Sequence, residues 1–167
     1  FIDADQYLHP HYLEEAIKDL TINPKNGAVR GTIGFTPCTS IPARLESYET
    51  SLGQPKASND LDVWSFGIGG SLLRKSAIID AGNFDQKITE AGEDTDLACR
   101  MVRKGWKLEH SLLAVYYNQP RPSWKAMYKQ RCGYAAAVRT LGKKYTPFKS
   151  KKHLLINTIY SCALSIR

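Results

Sequence analysis

The first groups along the chain whose type and spacing could do chemistry are the carboxylates of Asp3 and Asp5, in the opening run FIDADQYLHP. In an extended segment residues two apart point to the same side, so both carboxylates can face one spot. Two like charges that close raise each other's pKa unless a divalent cation, a phosphate-bound cation or solvent neutralises them. The plainer role is a strand-end pair that caps the helix expected from Pro10. Glu90, Glu93, Asp94 and Asp96 form a second acidic cluster. Capping and the helix dipole explain one or two of these residues, but not the glycines around them.

These residues need elements to hold them. FID reads as the end of a buried strand, and HYLEEAIKDL as a helix with Tyr12, Leu13, Ala16, Ile17 and Leu20 on one apolar face. NPKNG reads as a turn, residues 28–36 as a strand, and residues 43–53 as a helix polar enough for the surface. Residues 63–73 form a glycine-interrupted strand region, followed by a short helix that Gly82 stops. In EDTDLACRMVRKG the acids fall in the first turn, Leu97, Ala98, Met101 and Val102 share a face, and Arg103, Lys104 and Gly105 close the end. That pattern suits the helix dipole and a glycine cap. LLAVYY reads as a further strand, and residues 123–142 as a long helix after Pro120 and Pro122. Alternating strands and helices favour an α/β or mixed-sheet domain. In such a sheet the crevice beyond the carboxyl ends of strands binds ligands, and the FID strand places Asp3 and Asp5 there.

The 167 residues, 43% of them apolar, suffice for one core. Cys38, Cys99, Cys132 and Cys162 lie too far apart for a zinc site and are too few for a disulfide scaffold, which favours a reduced compartment. The net charge of +7 is uneven: residues 1–100 hold 9 Lys/Arg against 15 Asp/Glu, and residues 101–167 hold 14 against Glu109 alone. Such charge suits an anionic partner, but no nucleic-acid-binding signature accompanies it. Residues 143–167 form a separate basic linker with lysines at 143, 144, 149, 151 and 152, then an uncharged run from Leu154 to Ile166. Thirteen residues fall short of the roughly 20 that span a bilayer. They suit the start of a spanning helix, an interfacial helix or a core helix, and the lysines suit the cytoplasmic face of an anionic membrane. A Phe start with no signal peptide reads as a piece of a longer chain.

An apolar strand with two aspartates also resembles the start of haloacid-dehalogenase-type phosphatases, but their motif continues with Gly or Thr where this chain has Gln6 and Tyr7. Three blocks together resemble something else. DAD at 3–5, GGSLLRKSAIIDAGNFD at 69–85 and GEDTDLACRMVRKGW at 92–106 are similar, in order and spacing, to the second half of the catalytic domain of family 2 glycosyltransferases, over roughly residues 1–135. These are inverting enzymes with a GT-A fold. The resemblance implies an α/β, GT-A-like mixed sheet with flanking helices, present here as the incomplete acceptor-side half within residues 1–142. It implies transfer of a sugar from a nucleotide-diphosphate sugar to a hydroxyl of a saccharide or lipid-linked acceptor, in glycan, glycolipid or cell-surface polysaccharide synthesis. Asp5 would hold Mg²⁺ or Mn²⁺, Asp3 would contact the nucleotide sugar or the same ion through water, and Asp94 would be the general base with Glu93 beside it. A hard cation neutralises the diphosphate leaving group, and a carboxylate takes the acceptor's proton.

Gly69 and Gly70 would let backbone approach the acceptor sugar, and Trp64 would stack on it; a tight turn and core packing are the plainer roles. Phe66 and Trp106 are further aromatic candidates, and Arg74 and Lys75 phosphate contacts or solvated residues. Processive family members carry Q-x-x-R-W on the last helix, where this chain reads KQRCGYAA without the Trp or the spacing. Arg131 is the expected diphosphate contact there, with Lys129 beside it. The histidine that often follows the strand matching LLAVYY is replaced by Tyr117, Asn118 and Gln119, with His110 placed before the strand. The nucleoside pocket belongs to strands preceding the D-x-D, so this piece alone is expected to be inactive and poorly folded, at a cytoplasmic or membrane-face location in its parent. The competing expectation is a non-catalytic module that binds nucleotide sugar or an anionic ligand.

Overall fold

The computed structural model describes residues 1–34, 36–54, 63, 66–89 and 91–145. These form β1 (Gln6–Leu8), α1 (Tyr12–Ile22), β2 (Asn26–Gly34), α2 (Ile41–Gly53), β3 (Ser71–Leu73), α3 (Lys75–Asp80), α4 (Glu93–Arg103), β4 (Lys107–Asn118) and α5 (Trp124–Lys144). The sheet runs β1-β4-β2-β3, with β4 and β2 parallel and both outer pairs antiparallel. This is the mixed α/β, GT-A-like sheet with flanking helices that the sequence implies.

The helices split into two layers. Leu97, Ala98 and Met101 of α4 join Ala77 of α3 and Ala28 and Leu108 of the central strands in one core, closed by Phe66. Tyr12 and Ala16 of α1 pack with Ala114 and Tyr116 in another. The predicted α4 face is therefore the buried one. On α1 only Tyr12, Ala16 and Leu20 are buried, while Leu13 and Ile17 are exposed. Ser40 and Ser123 cap α2 and α5 by accepting from the amides of Ala43 and Ala126.

Three local expectations change. Residues 1–3 are not a strand: the Gln6 amide donates to the Asp3 carbonyl at 3.0 Å, so the two aspartates sit in a turn that leads into β1. Within 63–73 the strand is β3 alone, because the described glycines before it form a turn in which Gly70 takes φ +65°. The strand around LLAVYY is longer, Lys107–Asn118, and irregular: Arg30 pairs with His110 but Thr32 with Val115. The extra residues push Leu112 and Leu113 outward, which alternation of apolar residues does not reveal. Thr32 fixes this irregularity through its hydroxyl, which donates to the Ser111 carbonyl at 2.9 Å and lies 3.0 Å from His110 Nε2. His110 is thus inside the strand, buried, and held below its usual pKa by burial and by Arg30.

The polar helix α2 lies at the surface as expected, but the face it buries includes a carboxylate. It buries Pro42, Ala43 and Glu46, and exposes Ile41, Tyr48 and Leu52.

Candidate active site

The turn before β1, the glycine turn before β3, the start of α4 and the outer side of α5 converge on one cleft of about 380 Å³. Asp3, Asp5 and Gly69 line one wall, Glu93 and Asp94 another, and Arg121, Gln130, Arg131 and Tyr134 a third. Residues from position 3 to position 134 thus share one opening, and Glu93 and Asp94 face the same space as Asp3 and Asp5.

Asp3 is fixed at both ends of its turn. Its amide donates to the Gln6 side chain at 3.0 Å, complementing the Gln6 amide bond to its carbonyl. Burial first, then the charges of Asp5 and Glu93, push its carboxyl above the usual range, against a smaller pull from Arg121. Gly69 is where it is because a Cβ there would lie 2.1 Å from Asp3 Oδ2 and 2.7 Å from Gln6 Nε2. Gly70 has a different role: its left-handed backbone lies on the Tyr116 ring, 2.4 Å from an added Cβ, and its carbonyl accepts from the Tyr12 hydroxyl at 2.7 Å. Gly69 therefore borders the cleft, while Gly70 shapes the turn behind it.

Asp94 lies in the first turn of α4, whose cap residue Gly92 makes no side-chain cap bond. Its Oδ1 accepts from the Thr95 amide at 2.6 Å and the Thr95 hydroxyl at 3.3 Å. Burial is the largest influence and raises its pKa; Glu93 adds to this, and the bonds from Thr95 and the Ile68 backbone only partly offset it. The result is a carboxylate that holds a proton more tightly than an exposed aspartate and is a correspondingly better base. α1 likewise starts without a side-chain cap bond, while the Thr95 amide from which Asp94 accepts belongs to the first turn of α4.

Asp96 serves the site indirectly. It is completely buried and accepts from Arg100 on one oxygen and from Lys144 at 2.7 Å and the Tyr145 hydroxyl at 2.5 Å on the other. This ties the far end of α5 to the start of α4. Gly92 lets the helices meet, since a Cβ there would lie 2.8 Å from Leu141. The wall carrying Gln130 and Arg131 is positioned by that seam.

Of the remaining sequence candidates, Arg131 reaches the cleft but is ion-paired with Glu49 of α2. Arg74 donates to the carbonyls of Asn26 and Leu20, and so ties α1 to the sheet instead of facing the cleft. Phe66 is core, and Trp106 donates to Asp80. Trp64 and Glu90 lie outside the described residues, as does the tail from residue 146. α5 runs on through residue 142 to Lys144. Among the described residues no helix is long and apolar enough to cross a membrane. Glu46, Arg121 and Tyr134 line the cleft without having been singled out by sequence; Glu46 had no signal, since it reads as one more polar residue on a surface helix.

Residues 1–164 match the profile of glycosyl transferase family group 2. The chain belongs to this family. It is 30% identical over 173 residues to a probable glucomannan 4-beta-mannosyltransferase 3 of Oryza sativa subsp. japonica, covering 95% of this chain and 31% of that protein. It is 27% identical over 148 residues to glucomannan 4-beta-mannosyltransferase 7 of Arabidopsis thaliana, covering 83% of this chain and 26% of that protein. The chain thus spans less than a third of the length of either relative. Glu93 and Asp94 share this cleft with Asp3 and Asp5, which helix capping alone does not require.

Proposed function

We propose that this chain is the acceptor-side part of an inverting, metal-dependent glycosyltransferase that moves a sugar from a nucleotide-diphosphate sugar to a hydroxyl of a growing polysaccharide. The names of the relatives support mannose as the sugar and a 4-hydroxyl as the acceptor. The observation that carries the reading is the half-buried Asp94, its carboxyl pushed above the usual range by desolvation, on the same cleft as Asp3 and Asp5. In the proposed step the Asp94 carboxylate takes the acceptor hydroxyl's proton as that oxygen bonds the anomeric carbon. The electron pair of the breaking carbon–oxygen bond passes to the diphosphate, which leaves from the opposite face. One displacement inverts the carbon, so an α-linked donor gives a β-linked product.

Asp5 and Asp3 would hold Mg²⁺ or Mn²⁺. Among the described residues no three acidic, His or Cys side chains gather as a complete cage. That suits a hard cation held by one or two carboxylates and completed by diphosphate oxygens. Burial raises the Asp3 pKa most, and the neighbouring charges of Asp5 and Glu93 add a repulsion that such an ion would relieve. When bound, the ion would neutralise charge developing on the leaving group.

The basic tail and the exposed Ile41, Tyr48, Leu52, Trp124 and Tyr128 support an extension of this reading to a membrane surface and a lipid-linked or membrane-extruded acceptor. Flotation of the intact protein with anionic vesicles, with and without residues 143 onward, tests that extension; equal soluble fractions reject it.

The main test uses the intact protein in lipid with a panel of UDP- and GDP-sugars, in Mn²⁺, in EDTA and as Asp94→Asn. Release of nucleoside diphosphate that requires both the metal and Asp94 is the expected result. Tight donor binding with no release from any donor would replace the enzyme with a binding module.

A further inference from the structure

Arg121 follows Pro120 at the end of β4 and is gripped more closely than its neighbours on the cleft. One buried carboxylate takes it at two points: Glu46 Oε2 accepts from the Arg121 amide at 2.7 Å, and Oε1 from Nη1 at 2.8 Å. Gln130 stands on the other side: with its side-chain amide turned so that the oxygen faces the guanidinium, that oxygen accepts from Nη1 at 2.9 Å, Nη2 at 3.0 Å and the Tyr134 hydroxyl at 2.8 Å. Glu46 is only 6% exposed, so burying this carboxylate carries a desolvation cost that its two bonds with Arg121 must offset.

A carboxylate buried on a helix that leaves Ile41, Tyr48 and Leu52 exposed calls for a reason. The arrangement gives one: it fixes a guanidinium, in one rotamer, on the cleft wall opposite the acidic turn. A guanidinium carries five donors in a rigid fork, and the bonds named here leave N–H groups for a ligand in the cleft. Arg131 makes a useful contrast. Its partner Glu49 is more exposed, and Arg121 is the arginine whose charge is felt at Asp3.

We propose that Arg121 binds the diphosphate of the donor and that Glu46, through its two bonds to Arg121, is the positioning residue that aims it. This rests on the glycosyltransferase reading above and adds to it a cation built into the protein beside the metal-holding carboxylates. A fixed cation of this kind binds diphosphate in the ground state and keeps its charge against the leaving group as the bond to the sugar breaks. Helix α2, which carries no cleft chemistry of its own, then contributes to donor binding through Glu46.

Calorimetric titration of the intact protein with UDP and with GDP, in EDTA and in Mn²⁺, tests this with Arg121→Gln, Arg121→Lys, Glu46→Gln and the double variant Glu46→Gln/Arg121→Gln. In EDTA, Arg121→Gln is expected to weaken binding at least tenfold and Glu46→Gln several-fold. The double variant should be no weaker than Arg121→Gln alone, since Glu46 acts only through Arg121. Arg121→Lys keeps the charge but not the fork and should fall between; it decides the matter if Arg121→Gln does not fold. Wild-type affinity in Arg121→Gln, or in Arg121→Lys should Gln fail to fold, overturns the inference while leaving the enzyme reading intact. Additive losses in the double variant overturn the role of Glu46. A wild-type protein that binds neither nucleotide with or without metal rejects the glycosyltransferase reading itself.

Discussion

Replacing Asp96 by Asn should show how strongly the seam between α4 and α5 holds the site together. The carboxylate has no exposed surface and accepts from a guanidinium, an ammonium and a phenol. Asparagine keeps one oxygen and turns an NH₂ group toward cationic donors, so at least one charged side loses its acceptor. Hydrogen bonds to charged groups are worth roughly 1.5–3 kcal/mol each. Breaking a buried ion pair from one side costs about 3–5 kcal/mol, and that is the expected loss for Asp96→Asn in denaturant unfolding of the intact protein. Lys144→Met should cost clearly less, because the Lys144 side chain is 43% exposed and its loss leaves Arg100 and Tyr145 bound to Asp96. The effect should also depend on pH. Burial opposes the Asp96 charge, but the bonds from Lys144, Tyr145 and Arg100 outweigh it and hold its folded pKa below the usual 3.8. Its contribution is therefore present above the unfolded-state pKa and lost as pH falls through the folded one, so wild type and variant should converge in acid. An Asp96→Asn protein within about 1 kcal/mol of wild type near neutral pH would refute the argument that this carboxylate clamps α5 to α4.

Other outcomes follow from the geometry of the cleft. Because Asp94 retains its proton above the ordinary aspartate range, activity should fall on acidification at a pH above 3.8, and Glu93→Gln should move that limb lower by removing like-charge repulsion; a pH–rate profile with an unmoved limb excludes Asp94 as the titrating base. Gly69→Ala should leave thermal unfolding nearly unchanged while displacing the flexible ends of Asp3 and Gln6, and is expected to weaken Mn²⁺-dependent donor binding at least tenfold in a metal titration. Gly70→Ala should instead destabilise the fold by roughly 1–3 kcal/mol, since it strains a left-handed residue and drives a methyl into the Tyr116 ring; unfolding midpoints separate the two glycines.

The chain's own order of residues was enough to place most helices, because their apolar spacing and end signals are local. The α4 pattern of leading acids, the Leu97–Ala98–Met101 face and trailing Gly105 is realised with Gly105 at φ +86°. It was also enough to draw attention to Asp3, Asp5 and Asp94 through the spacing of their carboxylates and the glycines near Asp94, and the structure places all three on one cleft. Strand geometry was less legible. Pairing partners lie far apart in sequence, so neither the turn that replaces the expected FID strand nor the irregular register that turns out Leu112 and Leu113 leaves a local mark.

What only the tertiary structure decided is which charges meet. Asp96 looks like a fourth member of an acidic cluster, yet partners 48 and 49 residues away make it a buried clamp, while its neighbour Asp94 faces the cleft. Glu46 reads as a solvated residue of a polar helix, and becomes a buried anchor because Arg121, 75 residues on, needs a counter-charge where α2 crosses the end of β4. Electrostatic roles of this kind depend on distance and desolvation, and both are properties of the folded chain.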